Sequence, residues 1–308
     1  MTAILGGLAA AVLWATATLV SSRSSRMIGS RAVLAWVMVV GTIVGLPLAL
    51  ATGVPPVVTG EAWALMAVAG ICYSAGLYAT YRALSIGKVS IVAPIVATEG
   101  AIGALIAVAL GDTLGLAAML LLALIAAGVV LAAIEPARPD VPAGTIELAA
   151  DALDGPAVDG DGRASEQAPD RTREAALLAI TAALIFGVGL VSAGKAAMLV
   201  APIWVAVSSR VIGLGIVALP LVLQRRFTVT RRALPLVIVA GIGEVFGSTA
   251  AAWAATSSIP ISAVLGSQFA AIAAVVAYLL FNERLSRSQV LGVILIVAGV
   301  TALAATSV

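Results

Sequence analysis

Glu135–Glu174 reads EPARPDVPAGTIELAADALDGPAVDGDGRASEQAPDRTRE, the one long polar run in a chain that is otherwise almost continuously apolar. It carries ten acidic and four basic residues together with repeated prolines, and holds little that could bury a core. The stretch therefore reads as a polar, disordered linker. It separates residues 1–134 from residues 175–308.

The flanking halves set the protein class. Over all 308 residues, 62% are hydrophobic and only 10% are charged, and the mean hydropathy is +1.15. Soluble domains do not have this composition. The linker alone holds fourteen of the charged side chains, so what remains belongs in lipid. The absence of histidine removes the residue most used for acid–base work near neutral pH and for transition-metal binding. Cys72 is the single cysteine, which excludes an internal disulfide. A pI near 9.0 comes with a net charge of only +2 and no basic run interleaved with aromatics, which argues against a nucleic-acid partner.

Crossing a hydrocarbon core takes about 20 apolar residues. Five such runs precede the linker, approximately Ala3–Ser21, Ala32–Ala51, Ala62–Tyr81, Val89–Leu110 and Gly115–Ile134. Five follow it, approximately Ala175–Met198, Pro202–Leu223, Leu234–Thr256, Ser258–Phe281 and Gln289–Thr306. The first run contains a cleavage-like Ala15-Thr16-Ala17 but no basic segment before it, so it does not read as a signal peptide.

A shift of 171 to 173 residues lays one half on the other. Trp14 meets Phe186, Arg23 meets Lys195, Gly41 meets Gly213, Pro47 meets Pro220, and Ala83 meets Ala255. Further along, Ser90 meets Ser262, Asp112-Thr113-Leu114 meets Glu283-Arg284-Leu285, and Gly128-Val129 meets Gly299-Val300. Single matches in Ala- and Gly-rich sequence carry little; a common spacing along the whole chain indicates duplication. Five spans is an odd number, so the second half enters the membrane from the opposite side. The expected architecture is an all-α integral membrane protein with ten transmembrane helices in two five-helix inverted repeats. Such pairs build secondary transporters, with the substrate site where the repeats meet.

The basic residues orient it. Fifteen of the Lys and Arg residues fall after the odd-numbered spans, among them Arg23, Arg26, Arg31, Arg82, Arg225, Arg226, Arg231 and Arg232, while Lys195 alone lies on the other side. The positive-inside rule then places the linker in the cytoplasm and both termini outside a multi-pass protein of the cell membrane.

Three ionisable residues lie at membrane depth: Glu99, Arg210 and Glu244. An Arg or Asp at a helix centre costs about 2.5–3.5 kcal/mol on insertion scales, with Glu similar. They therefore face a polar interior, either lining a solute path or tying helices together as a structural pair. Glu244 shares a helical face with Gly247, Ser248 and Ala251, which leaves room for solute or water. In the third span Ser74, Tyr78 and Tyr81 share a face with Tyr73 beside it, although Tyr81 suits an interfacial anchor equally well. Gln268 serves either as a ligand contact or as glue between helices. Trp14 favours packing over the cavity, and Lys195 and Arg23 snorkel from span ends. The substrate and ion pathway is thus read as Glu99, Glu244, Arg210, Tyr73, Ser74, Tyr78 and Gln268. No phosphate-binding loop, nucleophile elbow or metal-ligand spacing occurs, so neither an enzyme nor a cofactor is expected.

Phe281-Asn282-Glu283-Arg284-Leu285, followed by Gln289, Gly292 and Gly299-Val300, resembles the short acidic loop and last glycine-bearing span of the EamA family, in the drug/metabolite transporter superfamily. Gly111-Asp112-Thr113-Leu114 with Gly128-Val129 is a fainter copy. The resemblance covers all but the linker. It implies passage of small metabolites, amino acids or drugs, often outward, through a central cavity, and makes Glu283 a structural residue of the repeat. Members often carry proline thirteen residues before the loop carboxylate, where this chain has Glu99 and Ala270. The first repeat has Ala118 and Leu121 in place of Gln and Gly, and the family is usually drawn with cytoplasmic termini, opposite to the arginine count. The expected partners are a small-molecule substrate, protons and the lipid bilayer; a homodimer is left open. An uncoupled channel and a non-transporting membrane scaffold are the alternatives.

Overall fold

A computed structural model describes residues 1–55, 57–87, 89–133, 169–269, 271–272 and 287–306. Every regular element among them is helical. The first half comprises α1 (Thr2–Ile28), α2 (Ser30–Ala51), α3 (Gly60–Ile86), α4 (Val89–Ala97), α5 (Glu99–Ala109) and α6 (Leu116–Ala133). The second comprises α7 (Pro169–Ala197), α8 (Pro202–Gly213), a π-helical turn (Leu214–Ala218), α9 (Leu219–Leu223), α10 (Leu234–Ala255), α11 (Ile259–Gly266) and α12 (Arg287–Thr306).

Lipid offers no hydrogen bonds to the backbone, so apolar sequence of this kind closes its own bonds as helix. Among the described residues, six helices are long and apolar enough to span a membrane: α1, α2, α3, Arg173–Ala197, Pro202–Leu223 and α10. Ile95–Ala109, Leu116–Gly128 and Val290–Val300 are shorter apolar helices. Large apolar side chains such as Ile43, Leu105, Leu116 and Leu223 point outward, as a lipid-facing surface requires.

Local chemistry sets the helix ends. Thr59 caps α3, its hydroxyl accepting from the Ala62 amide at 3.2 Å, and Glu61 adds an acid to that first turn. Ser258 caps α11 through the Ile261 amide. The turn between α1 and α2 is Gly29 alone, whose φ of 84° suits a residue without a Cβ. α7 begins at Pro169, inside the stretch read as linker, so the polar residues Arg171, Arg173 and Glu174 extend the helix.

Three expected spans are interrupted. The fourth breaks between α4 and α5, where the Thr98 amide bonds to the Ile95 carbonyl at 3.2 Å. The seventh widens into the π turn, where the Leu219 amide reaches back to Leu214 just before Pro220. In the ninth, α11 stops at Gly266 and the chain turns at Ser267. Residues 135–168 of the linker, Ala270, and the loop Phe281-Asn282-Glu283-Arg284-Leu285 lie outside the described residues.

The halves pack as equivalents. α1 runs along α10, and α3 along α7; α2 meets α10, and α3 meets α8; α4 meets α7, and α1 meets α11. Exchanging the halves maps each pair onto the next. The matched helices also touch one another, and they do so antiparallel. Gly41 abuts Arg210 while Gly45 abuts Val207, Gly100 abuts Ser267 while Gly103 abuts Ala263, and Gly128 abuts Gly292 while Gly299 abuts Ile125.

The basic residues collect at one end of the bundle. Arg31 donates to the Tyr78 hydroxyl at 3.2 Å, and Arg82 lies 3.6 Å from Glu174. Trp36 stacks on Phe227 with ring centroids 4.5 Å apart and donates to the Thr228 carbonyl at 3.2 Å. At the opposite end, Trp204 donates to the Gly53 carbonyl at 3.0 Å.

Candidate functional site

A cavity of about 80 Å³ lies where the halves meet. That is room for several waters or the head of a small solute. α1, α3, α4 and α5 supply walls from the first half, and α7, α8, α10 and α11 from the second.

Glu99 and Glu244 enter this cavity from opposite halves. Glu99 is the first residue of α5, placed there by the break at Thr98, and is 5% exposed. The free amides of the first turn favour an anion at that position. Among the described residues, no protein group donates to its carboxylate. Glu244 sits mid-way along α10, about 15 Å from either end at helical rise. Its carboxylate accepts from the Tyr73 hydroxyl and, at 3.4 Å, from the Tyr81 hydroxyl.

Arg210 stands behind this wall and does not line the cavity. It is wholly buried. Its Nη2 donates to the Glu244 carbonyl at 2.6 Å, to Ser248 Oγ at 2.7 Å and to Tyr73 Oη at 3.0 Å. The guanidinium carbon lies 4.1 Å from the centre of the Tyr73 ring, and the aliphatic stem lies against Gly41. No guanidinium–carboxylate ion pair within 4.0 Å joins Arg210 to Glu244 or Glu99 among the described residues. Tyr73 stands between charge and countercharge: Arg210 donates to its oxygen, and its hydroxyl donates to Glu244. Arg210 is thus a cation anchored to backbone and hydroxyls of α3 and α10, with Tyr73 standing between it and the Glu244 carboxylate.

The other sequence candidates divide. Tyr73 lines the cavity. Ser74 is buried but points between α3 and Gly213, with no partner for its hydroxyl. Tyr78 is held at the basic end by Arg31, under the guanidinium at 5.6 Å. Gln268 is buried beside the α11 turn with its amide nitrogen unpartnered, outside the cavity wall. Tyr81 belongs to the cavity, which decides its even reading. Trp14 fills space against Gly247 and Gly266, as packing requires, yet it also lines the cavity, so the preference for packing alone is corrected. Phe186, Thr18, Thr80, Ser209 and Ser262 line it without having been singled out. One signal was present: Trp14 and Phe186 occupy matching positions of the repeat. Among the described residues, no group of three His, Cys, Asp or Glu side chains is arranged to hold a metal.

A solved crystal structure that is 18% identical covers 98% of this chain and 96% of its own, with a TM-score of 0.69, a likeness of fold alone. No curated protein matches the chain in sequence. Residues 1–134 and 173–305 each match the EamA-like transporter family. A multi-pass all-α membrane protein in two repeats, the chain belongs to the EamA-like transporter family.

Proposed function

We propose that this protein is a secondary transporter that moves small metabolites, amino acids or drugs outward across the cell membrane by alternating access. Its ten crossings form two inverted repeats, and Glu99 and Glu244 carry the coupling protons. The observation that carries this reading is the convergence of two buried carboxylates, one from each half, on a single cavity at the junction of the halves. Antiparallel contact between matched helices supports the inverted arrangement, because a two-fold axis along the membrane normal would leave them parallel. The interruptions beside Thr98 and Ser267, where the two broken spans cross, supply irregular backbone next to the cavity. Arg210 acts as a positioning residue that fixes Tyr73 and the Glu244 turn. The linker faces the cytoplasm and both termini face outward, in keeping with the basic residues gathered at one end.

Proteoliposomes with a trapped pH indicator and an imposed pH gradient test the proposal against a panel of amino acids, amines and drugs. Solute-dependent proton movement in the wild type, lost in both Glu99→Gln and Glu244→Gln, is the expected result. Solute flux that ignores the gradient and persists in both variants contradicts it, and flux that never runs uphill indicates an uncoupled channel.

A further inference from the structure

We infer that the cavity selects a small monovalent organic cation, an amine with an apolar body, in preference to an anion or a zwitterion. The inference rests on the transport reading for the meaning of binding, but binding itself is separable from transport.

The charge pattern comes first. The described wall contains Glu99 and Glu244 but no Lys or Arg. Arg210 offsets one carboxylate from behind Tyr73: its Nη2 is committed to the Glu244 carbonyl, Ser248 and Tyr73, and its Nε and Nη1, though unpartnered, are buried behind the wall and do not line the cavity. One carboxylate, that of Glu99, is left facing the cavity without a protein donor. An ionised wall therefore carries one uncompensated negative charge, which a single ammonium group neutralises. The carboxylate of an anionic or zwitterionic solute would be buried beside two acids with no accessible cation, an expensive placement.

The lining is also built for more than a proton. Thr80 is 6% exposed and lines the cavity with its hydroxyl unpartnered, so a polar contact there is unfilled. Trp14 and Phe186 present rings from matching positions of the two halves. One face of Tyr73 is already taken by Arg210, whereas no cation is stacked on Trp14 or Phe186 among the described residues. An aromatic wall beside an unpaired carboxylate, shielded from water, suits an ammonium attached to a hydrocarbon.

Three probes of one shape separate the classes: benzylammonium, neutral benzyl alcohol and benzoate. Thermal unfolding of the purified full chain in detergent reads their binding. Benzylammonium at tenfold its dissociation constant should raise Tm by about 3 °C. Glu99→Gln should abolish that shift, while Arg82→Gln, at the exposed basic end, should keep it. The inference is overturned if benzyl alcohol or benzoate stabilises as much, if the benzylammonium shift survives in Glu99→Gln, or if none of the three stabilises the wild type. Flux in proteoliposomes is scored separately. Vesicles that move an anion and exclude amines overturn the cation preference and leave transport standing. Amine binding without any flux overturns transport and leaves the preference standing.

Discussion

Gly100→Ala places a methyl group where the two broken spans cross. A Cβ at Gly100 would lie 2.6 Å from Ser267 Cβ and would overlap the Ser267 hydroxyl and the Ala263 carbonyl. Carbon atoms sit about 3.5–4.0 Å apart at ordinary contact, so α5 and α11 must separate by roughly 1 Å. Overpacking of this kind costs about 1–3 kcal/mol, and a backbone oxygen cannot rotate away, which favours the upper figure. Replacing glycine in a helix returns about 1 kcal/mol. The net loss is about 2 kcal/mol, or roughly 4–8 °C in Tm. Gly103→Ala is the matched control one turn away. Its Cβ would meet Ala263 Cβ at 3.4 Å, an ordinary contact, so only the helix gain remains. Thermal unfolding in detergent should therefore show Gly100→Ala below the wild type and Gly103→Ala at or above it. A Gly100→Ala protein as stable as the wild type would refute the close crossing of these spans.

Further expectations concern the buried polar groups. Arg210→Lys loses the flat guanidinium that lies 4.1 Å from the centre of the Tyr73 ring, and should lower Tm by at least about 4 °C in the same assay. Glu99→Gln removes a buried charge that no protein donor holds, so Tm should hold or rise even as function is lost. Ser74→Ala deletes an unpartnered buried hydroxyl outside the cavity and should hold or raise Tm while leaving solute flux unchanged. A C-terminal GFP fusion should stay dark if the C-terminus is exported unfolded; bright cells would reverse the proposed orientation.

The sequence made the deep charges legible because burial in lipid is costly enough to require a reason. That logic found Glu99 and Glu244 without knowing their partners. It could not place Arg210 behind Tyr73, because a guanidinium beside two acids reads as their ion pair until the backbone carbonyl of Glu244 is seen to accept it. The face of α3 was harder. Ser74, Tyr78 and Tyr81 share one helical stripe, but the wall uses Tyr73, Leu77, Thr80 and Tyr81, rotated by about one residue. α3 packs against both α7 and α8, so both stripes are enclosed and composition does not separate them. The turn at Ser267 had a local sign in Gly266, the residue that ends α11. The duplication was visible in spacing alone, and it carried more about Trp14 than its side chain did, since its partner Phe186 also lines the cavity.

Alternating access makes one demand that neither a channel with a fixed opening nor a scaffold meets: the cavity must face each side of the membrane in turn. Thr80 is the suitable reporter, because it lines the cavity and its buried hydroxyl holds no partner that a substitution would break. A Thr80→Cys variant in a Cys72→Ala background, in membrane vesicles of both orientations, is exposed to a membrane-impermeant thiol reagent. Labelling from both sides, with a transported solute raising reactivity on one side and lowering it on the other, is the predicted result. Labelling from neither side, or from one side only and unaffected by every solute, would contradict transport through this cavity.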